Sequence, residues 1–342
     1  MSWIDNLKKI EAFERAEFDP ALVAKMEARG ASSYSKIRFS SPTFKEYESD
    51  EISGCGKNSF PAFSITAAGC ALNCDHCQKK ILEPMIPATK PEILDQKVRD
   101  MVMLQGLQGF LLSGGSDKKN EINYERFYPV IEGLKRDFPE MKIAIHTALL
   151  DEKAAKRMEA AGVDTAMTDI IGAQETINQV YHLDRSVDDF EQTLAALCTT
   201  KMDIVPHIVI GLHYGKILGE ASALEMVARY PVNSLVLVVI MPFYAKPNTF
   251  TVPDTTEVGE FFLKARDKMG QRKLLLGCAR PPGVHKLVTD AYAIMAGVDG
   301  IAFPADGAVS VAKMIGREFE LAYSCCSIKV GGDLNIRKAC AA

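Results

Sequence analysis

Residues 142–169 read KIAIHTALLDEKAAKRMEAAGVDTAMTD, and this stretch decides the fold class. Residues 142–147 form a short run with β-branched positions and predict a strand; 151–161 carry a helical pattern; 164–169 predict a second strand. Strand, helix, strand is the repeating unit of a parallel sheet. The same rhythm continues in both directions. Strands are predicted over 62–68, 109–113, 203–211, 234–241, 273–278 and 300–304, and helices over 92–107, 124–137, 186–198, 220–229, 256–269 and 285–296. Another helix is expected over 309–323. Eight strands joined by seven crossovers predict an α/β chain of the (β/α)8 TIM-barrel type. The alternative, a doubly wound open sheet, lacks the Gly-x-Gly-x-x-Gly that its nucleotide-binding version carries after the first strand.

The segment up to about Gly30 predicts one or two amphipathic helices, with Ile4, Leu7, Ile10 and Phe13 on one face and Leu22 and Met26 following Pro20. A polar, Ser-rich stretch over 31–53 reads as an extended lead-in. The expected organisation is therefore N-terminal helices and lead-in over 1–53, a barrel over 54–323 and a cysteine-bearing tail over 324–342. The length of 342 residues suits one such barrel. Forty Lys and Arg against 44 Asp and Glu leave a net charge of −4, which advertises no nucleic-acid surface. No apolar run reaches the ~18 residues of a membrane helix, and the N-terminus is too mixed in charge for a signal peptide. Nine cysteines, an odd number with no export signal, point to a reducing cytoplasm in which thiols serve as metal ligands or nucleophiles.

Directly after the first predicted barrel strand comes Ala68-Gly69-Cys70-Ala71-Leu72-Asn73-Cys74-Asp75-His76-Cys77. Three thiols spaced Cys-x3-Cys-x2-Cys converge only if the loop wraps around something, and thiolates suit iron–sulfur clusters and zinc. Three protein ligands on a four-iron cubane leave one iron open. A structural zinc site with Cys55 or His76 as fourth ligand is the plainer alternative, although such sites usually carry two Cys-x2-Cys pairs.

Cys70-x3-Cys74-x2-Cys77 after the first strand of a barrel resembles the radical S-adenosylmethionine superfamily. The resemblance implies a [4Fe-4S] cluster on Cys70, Cys74 and Cys77, with S-adenosyl-L-methionine chelated to the open iron. It further implies reductive cleavage to a 5′-deoxyadenosyl radical, fed by an external one-electron donor such as ferredoxin or flavodoxin. His76 stands where the family usually places an aromatic residue against adenine. Ser113-Gly114-Gly115-Ser116 is similar to the family's Gly-Gly-Glu segment for the methionine amino group, with Ser116 in place of the acid. Val209-Ile210-Gly211 is similar to its adenine-packing stretch, with His207 replacing the first glycine.

Other expected strand ends carry His146, Asp169 and the Cys278-Ala279-Arg280 turn, while Arg185 suits the cofactor carboxylate through its planar fork. His146, Cys278 and Arg280 are the expected catalytic positions, and Asp169 and Arg185 the expected cofactor contacts. A lone strand-end His or Asp is as often structural, and Asp184 with Ser186 reads equally as a helix start. A second cluster would draw on Cys55, Cys278, Cys325, Cys326 and Cys340. The last three reach the mouth only if the final helix breaks, at Gly316 for example, or the tail folds back.

Within the superfamily the arrangement resembles the biotin-synthase-like branch, and most nearly one component of the two-protein lipoyl synthase. That likeness implies sulfur insertion into a protein-bound octanoyl chain, a second radical S-adenosylmethionine subunit and a lipoyl-domain protein as partners. Another cofactor-pathway rearrangement or methylation is the alternative, followed by a non-catalytic iron–sulfur carrier. Neither nucleic acid nor a membrane is expected as partner.

Overall fold

The computed structural model describes residues 2–31, 34–41, 51–52, 60–322, 325 and 327–328. In chain order, α1 (Trp3–Leu7) and α2 (Pro20–Arg29) precede β1 (Ile37–Ser40), β2 (Ala62–Ser64) and β3 (Ile86–Pro87). Alternation then sets in with α3 (Pro91–Gln105), β4 (Gly109–Ser113), α4 (Tyr128–Asp137), β5 (Lys142–Thr147), α5 (Glu152–Ala160) and β6 (Thr165–Asp169). It continues with α6 (Gln174–Gln179), α7 (Val187–Leu197), β7 (Asp203–Ile210), α8 (Glu220–Ala228), β8 (Ser234–Val239) and α9 (Thr255–Met269). The last elements are β9 (Lys273–Leu276), α10 (Val284–Met295), β10 (Gly300–Ala302), α11 (Ala308–Met314) and β11 (Phe319–Ala322).

Helix starts follow their caps. Asp151 accepts from the Ala154 amide at α5, Asp254 from Thr256 and Glu257 at α9, and Ser186 with Asp189 closes a capping box at α7. Asp184 is thus not needed for that start.

All eleven strands are parallel, in the order β11-β1-β10-β9-β8-β7-β6-β5-β4-β2-β3. The eight predicted strands occupy consecutive places from β2 and β4 to β10, so the sheet curls as a TIM-type barrel with an N-terminal helical extension. Among the described residues no ladder joins β2 or β3 to β11, and the curl stays open along that seam.

Two expectations change. β1 lies in the 1–53 lead-in yet pairs with β10 through Arg38↔Gly300 and Ser40↔Ala302, so the sheet crosses the expected boundary at 53/54. The final helix over 309–323 is broken. α11 ends beside Gly316, whose φ of +72° suits glycine, and Phe319–Ala322 returns as β11 against β1. Buried Arg317 fastens the turn by donating to the Ser35 and Ile294 carbonyls.

Strand alternation sorts the side chains into two cores. Leu112, Ile143, Ile145, Ile208, Leu237 and Leu276 face the helices and join one large apolar cluster with residues such as Leu134, Leu194 and Phe262. Leu111, Ala144, Met167, Val205, Val236 and Leu275 belong to a separate interior cluster that includes Phe60 and Ile328. Two residues further along each strand stand Ser113, His146, Asp169, His207, Val238 and Gly277. The barrel interior is apolar below and, on one side, polar toward the mouth.

No helix among the described residues is long and apolar enough to cross a membrane.

Candidate active site

The cysteine loop leaves β2 at the carboxyl edge of the sheet, where βα loops surround the mouth. Cys74 is buried and Cys70 and Cys77 are half-buried, all packed with an apolar cluster of Leu72, Leu149, Tyr181 and Leu212. Cys74, His76 and Cys77 bring ligand atoms within 4.8 Å of one another. The Cys74 thiol hydrogen-bonds Cys77. That bond, helped by His76, holds the Cys77 thiol down at about 4, while the same bond and burial push Cys74 up.

Two contacts tie the loop to the end of β4. The Ala71 amide donates to the Ser116 carbonyl at 2.7 Å, and the Gly115 amide donates to Thr66 Oγ1 at 2.7 Å. A third anchor comes from across the mouth: Asp75 accepts from Tyr214 Oη at 2.9 Å and faces His182 Nε2 at 3.0 Å. Its backbone amide donates to the Val180 carbonyl. The clamp from Asp75, Tyr214 and His182 was not anticipated; sequence separations of more than 100 residues carry no local signal.

The His76 ring lies 5.1 Å from the ring of buried Tyr181, centroid to centroid and tilted by 41°. Ser113 is buried, Gly114 packs against Ile65, and Gly115 brings the backbone against the cysteine loop at Gly69 and Cys70. Beside them opens a cavity of about 1220 Å³ lined by Cys70, Ser116, Glu121, Asp151 and Arg185 among others. Arg185 donates to the Lys119 carbonyl and to Glu121 Oε1, which holds its guanidinium in that wall.

The stretch Val209–Gly211 divides. Val209 packs with the cysteine-loop cluster. Ile210 faces the opposite way into the helix-side core, so its expected contact with a cofactor is not what the structure shows. Gly211 donates its amide to Glu220 Oε1 at 2.7 Å, and burial raises that carboxyl above its ordinary range.

His146, Asp169 and His207 come together inside the barrel. His146 Nε2 stands 3.8 Å from Asp169 Oδ1, and the two imidazoles are 5.5 Å apart. Burial, with the neighbouring His146, pulls the His207 pKa down to about 4. The sequence treated His207 only as a missing glycine; the alternation of Val205, His207 and Val209 was the signal that turns it inward.

Arg280 does not reach the mouth as expected. It is buried and spent on the fold: Nε and one terminal nitrogen grip Asp290 at 2.5 and 2.9 Å, and the Gly277 and Phe303 carbonyls accept its remaining bonds. Asp290 lies on α10, outside the barrel. Cys278 is exposed beside this turn, and Cys325 packs against the interior apolar cluster. The break at Gly316 and the return of β11 bring Cys325 there. Cys55, Cys326 and Cys340 lie outside the described residues.

No protein-family profile matches the chain, and no curated protein sequence matches it. Solved structures do. HydG, a maturase of the [FeFe]-hydrogenase, aligns with a TM-score of 0.59 at 13% identity, over 88% of this chain and 68% of its own. HydG from Carboxydothermus hydrogenoformans gives 0.55 at 16% identity, over 88% and 67%. The methylornithine synthase PylB gives 0.56 at 11% identity and covers 93% of both chains.

The chain shares their fold. At such identities the likeness establishes the curled parallel sheet alone, and the chemistry must be argued from the side chains.

The three thiols of the loop suit an iron–sulfur cluster. Cys70, Cys74 and Cys77 offer soft thiols on one loop, and Gly115, which lines the adjoining cavity with Cys70, lies directly against that loop. His76 brings a ring nitrogen within 4.8 Å of the Cys74 and Cys77 sulfurs while its ring lies against Tyr181, so the loop also carries the donor types of a zinc site.

Proposed function

We propose that the chain is a radical S-adenosylmethionine enzyme, with Cys70, Cys74 and Cys77 holding a [4Fe-4S] cluster at the barrel mouth. The observation that carries this reading is the joining of that cysteine loop to the Gly114-Gly115-Ser116 strand end beside a large cavity. When bound, the cluster and S-adenosylmethionine together supply a one-electron cleavage that yields a 5′-deoxyadenosyl radical.

The chain's own residues hold, orient and shield. Backbone groups at Gly114–Ser116 accept the methionine amino end without a side chain in the way. Arg185 faces the carboxylate. Val209 packs against the adenine side, and Tyr181 backs the His76 ring. Leu72, Leu149, Ile171, Leu212 and Ile240 keep water from the loop, which protects a radical from quenching. The electron comes from an external donor of the ferredoxin or flavodoxin type.

The finer reading is sulfur insertion into a protein-bound octanoyl chain, as a lipoyl synthase component working with a second subunit. Cys278 and Cys325 supply thiols near the barrel for a second cluster, which supports that reading. The layer of His146, Asp169 and His207 favours a different reading, a rearrangement or methylation of a polar cofactor precursor.

Anaerobic reconstitution followed by a strong reductant and S-adenosylmethionine tests the main claim. 5′-Deoxyadenosine should form, and Cys70→Ala, Cys74→Ala or Cys77→Ala should abolish it. A chain that holds a full cubane and releases none is no radical enzyme. Mass spectrometry of an octanoylated lipoyl-domain peptide, with and without a partner subunit, separates the finer readings: a gain of sulfur supports insertion, and an unaltered peptide favours the polar substrate.

A further inference from the structure

Three potential ligands meet inside the barrel at a place the cysteine loop does not use. Strand register puts them there. His146 on β5 pairs with Met167, and Asp169 on β6 pairs directly with His207 on β7. Each stands two residues beyond a member of the apolar interior layer (Ala144, Met167 and Val205), so each points inward just above that layer. His146 and Asp169 remain 29% and 37% exposed in their side chains, which leaves them reachable from the mouth.

Their ligand atoms lie within 4.8 Å of one another, and none of the three hydrogen-bonds to another. Around a metal with bonds of about 2.0–2.1 Å, tetrahedral donors stand about 3.4 Å apart. Side-chain rotations that move each atom by about 1 Å close the set.

The tautomer of His207 is set by its surroundings. Its Nδ1 lies 3.0 Å from the Val205 carbonyl oxygen, which only accepts, so Nδ1 carries the proton and Nε2 presents its lone pair to Asp169 and His146. A backbone carbonyl behind the far nitrogen is the usual support of a metal-binding imidazole. The backbone of His146 is also pinned, since buried Tyr124 donates from Oη to the His146 carbonyl at 2.9 Å.

We propose that His146, Asp169 and His207 form a mononuclear site for a divalent transition metal, zinc or ferrous iron, whose open positions face the mouth of the barrel. Two imidazoles and one carboxylate suit these ions and leave room for exogenous ligands. The ligand class that completes the site is an anionic oxygen or sulfur group on the substrate. This inference goes beyond the cluster chemistry and stands without it.

Equilibrium dialysis of the full chain against Zn²⁺, with its cluster reconstituted, tests the site. A single zinc ion per chain is expected in addition to the iron, retained in the Cys70→Ala/Cys74→Ala/Cys77→Ala variant. Asp169→Ala and His207→Gln should each weaken it by at least about tenfold, with near-UV circular dichroism confirming the fold. Co²⁺ added to the cysteine-loop variant should give ligand-field bands without thiolate charge transfer. Asp169→Cys in that background should add a charge-transfer band, a gain of signal that misfolding does not produce. No bound zinc, or zinc that survives loss of both His146 and Asp169, overturns the proposal. So does zinc that disappears with the three loop cysteines while the fold is kept.

Discussion

Gly115 and Cys70 are in direct backbone contact. A β-carbon at position 115 would stand 2.5 Å from Cys70 Cβ and 2.0 Å from the Gly69 carbonyl oxygen. No real side chain tolerates such approaches, and the obstacle is backbone, which cannot swing aside. The end of β4 therefore fixes where the first cysteine of the loop can sit. Gly115→Ala is expected to displace Cys70 while leaving the barrel folded. Iron content after anaerobic reconstitution should fall to well under half of the parent's, with far-UV circular dichroism unchanged. Full iron loading in this variant would count against the coupling of β4 to the cysteine loop.

Much of this architecture could be read from the chain beforehand, for identifiable reasons. Strands β4 to β9 are short apolar runs between helical patterns, three of which open on a capping Asp or Ser, and the cysteine spacing is local. β1 was hidden because Ile-Arg-Phe-Ser lies in a polar stretch and gains its stability from β10 and β11, both over 250 residues away. β11 was hidden because Phe-Glu-Leu-Ala has no preference that opposes helix; only Gly316 and the waiting edge of β1 turn it. Arg280 was misplaced for another reason. A charged residue after a strand end looks like a mouth residue until its partner Asp290, ten positions on, is known. His146 and Asp169 were legible singly, and their meeting with His207 required the register.

Arg185 gives a direct test of the proposed cofactor wall. Its guanidinium is held between the Lys119 carbonyl, Glu121 and Asp189, and it lines the same cavity as Cys70 and Ser116. Lysine keeps the charge and loses the planar fork. Arg185→Lys should weaken S-adenosylmethionine binding by about ten- to a hundredfold, the range for one lost charge-assisted hydrogen bond. Isothermal titration on the reconstituted protein reads this, and unchanged affinity would remove Arg185 from the site.

The Arg280–Asp290 pair is expected to matter for stability. Both side chains are essentially inaccessible, and Asp290 also accepts from the Ala305 amide at 2.7 Å. Asp290→Ala leaves a guanidinium buried without its counter-charge, which costs about 3–5 kcal/mol. The double change Arg280→Met/Asp290→Leu removes both charges and should recover only part of that loss, because the Gly277 and Phe303 carbonyls and the Ala305 amide lose their partners. Urea unfolding measures the difference. A cost below about 1 kcal/mol for the single variant would mean that the pair is not buried in solution.

The last prediction concerns acid stability and His285 at the start of α10. Its Nε2 donates to the Pro253 carbonyl at 2.9 Å, while Nδ1 is buried with no hydrogen-bond partner among the described residues. Protonation would place a charge on that enclosed nitrogen. Burial lowers the pKa below the ordinary 6.5, and it outweighs the Pro253 carbonyl and the more distant Asp254 and Asp290, which act the other way. The folded state then binds fewer protons than the unfolded state at pH values below about 6.5 and above the folded pKa. Stability must therefore fall as the pH drops through that window and level off beneath it. His285→Gln keeps a donor for Pro253 and cannot titrate. Its unfolding free energy should run parallel to the parent's above about pH 7 and decline less steeply between there and pH 5. Equal slopes for the two proteins would show that His285 is hydrated in the native state.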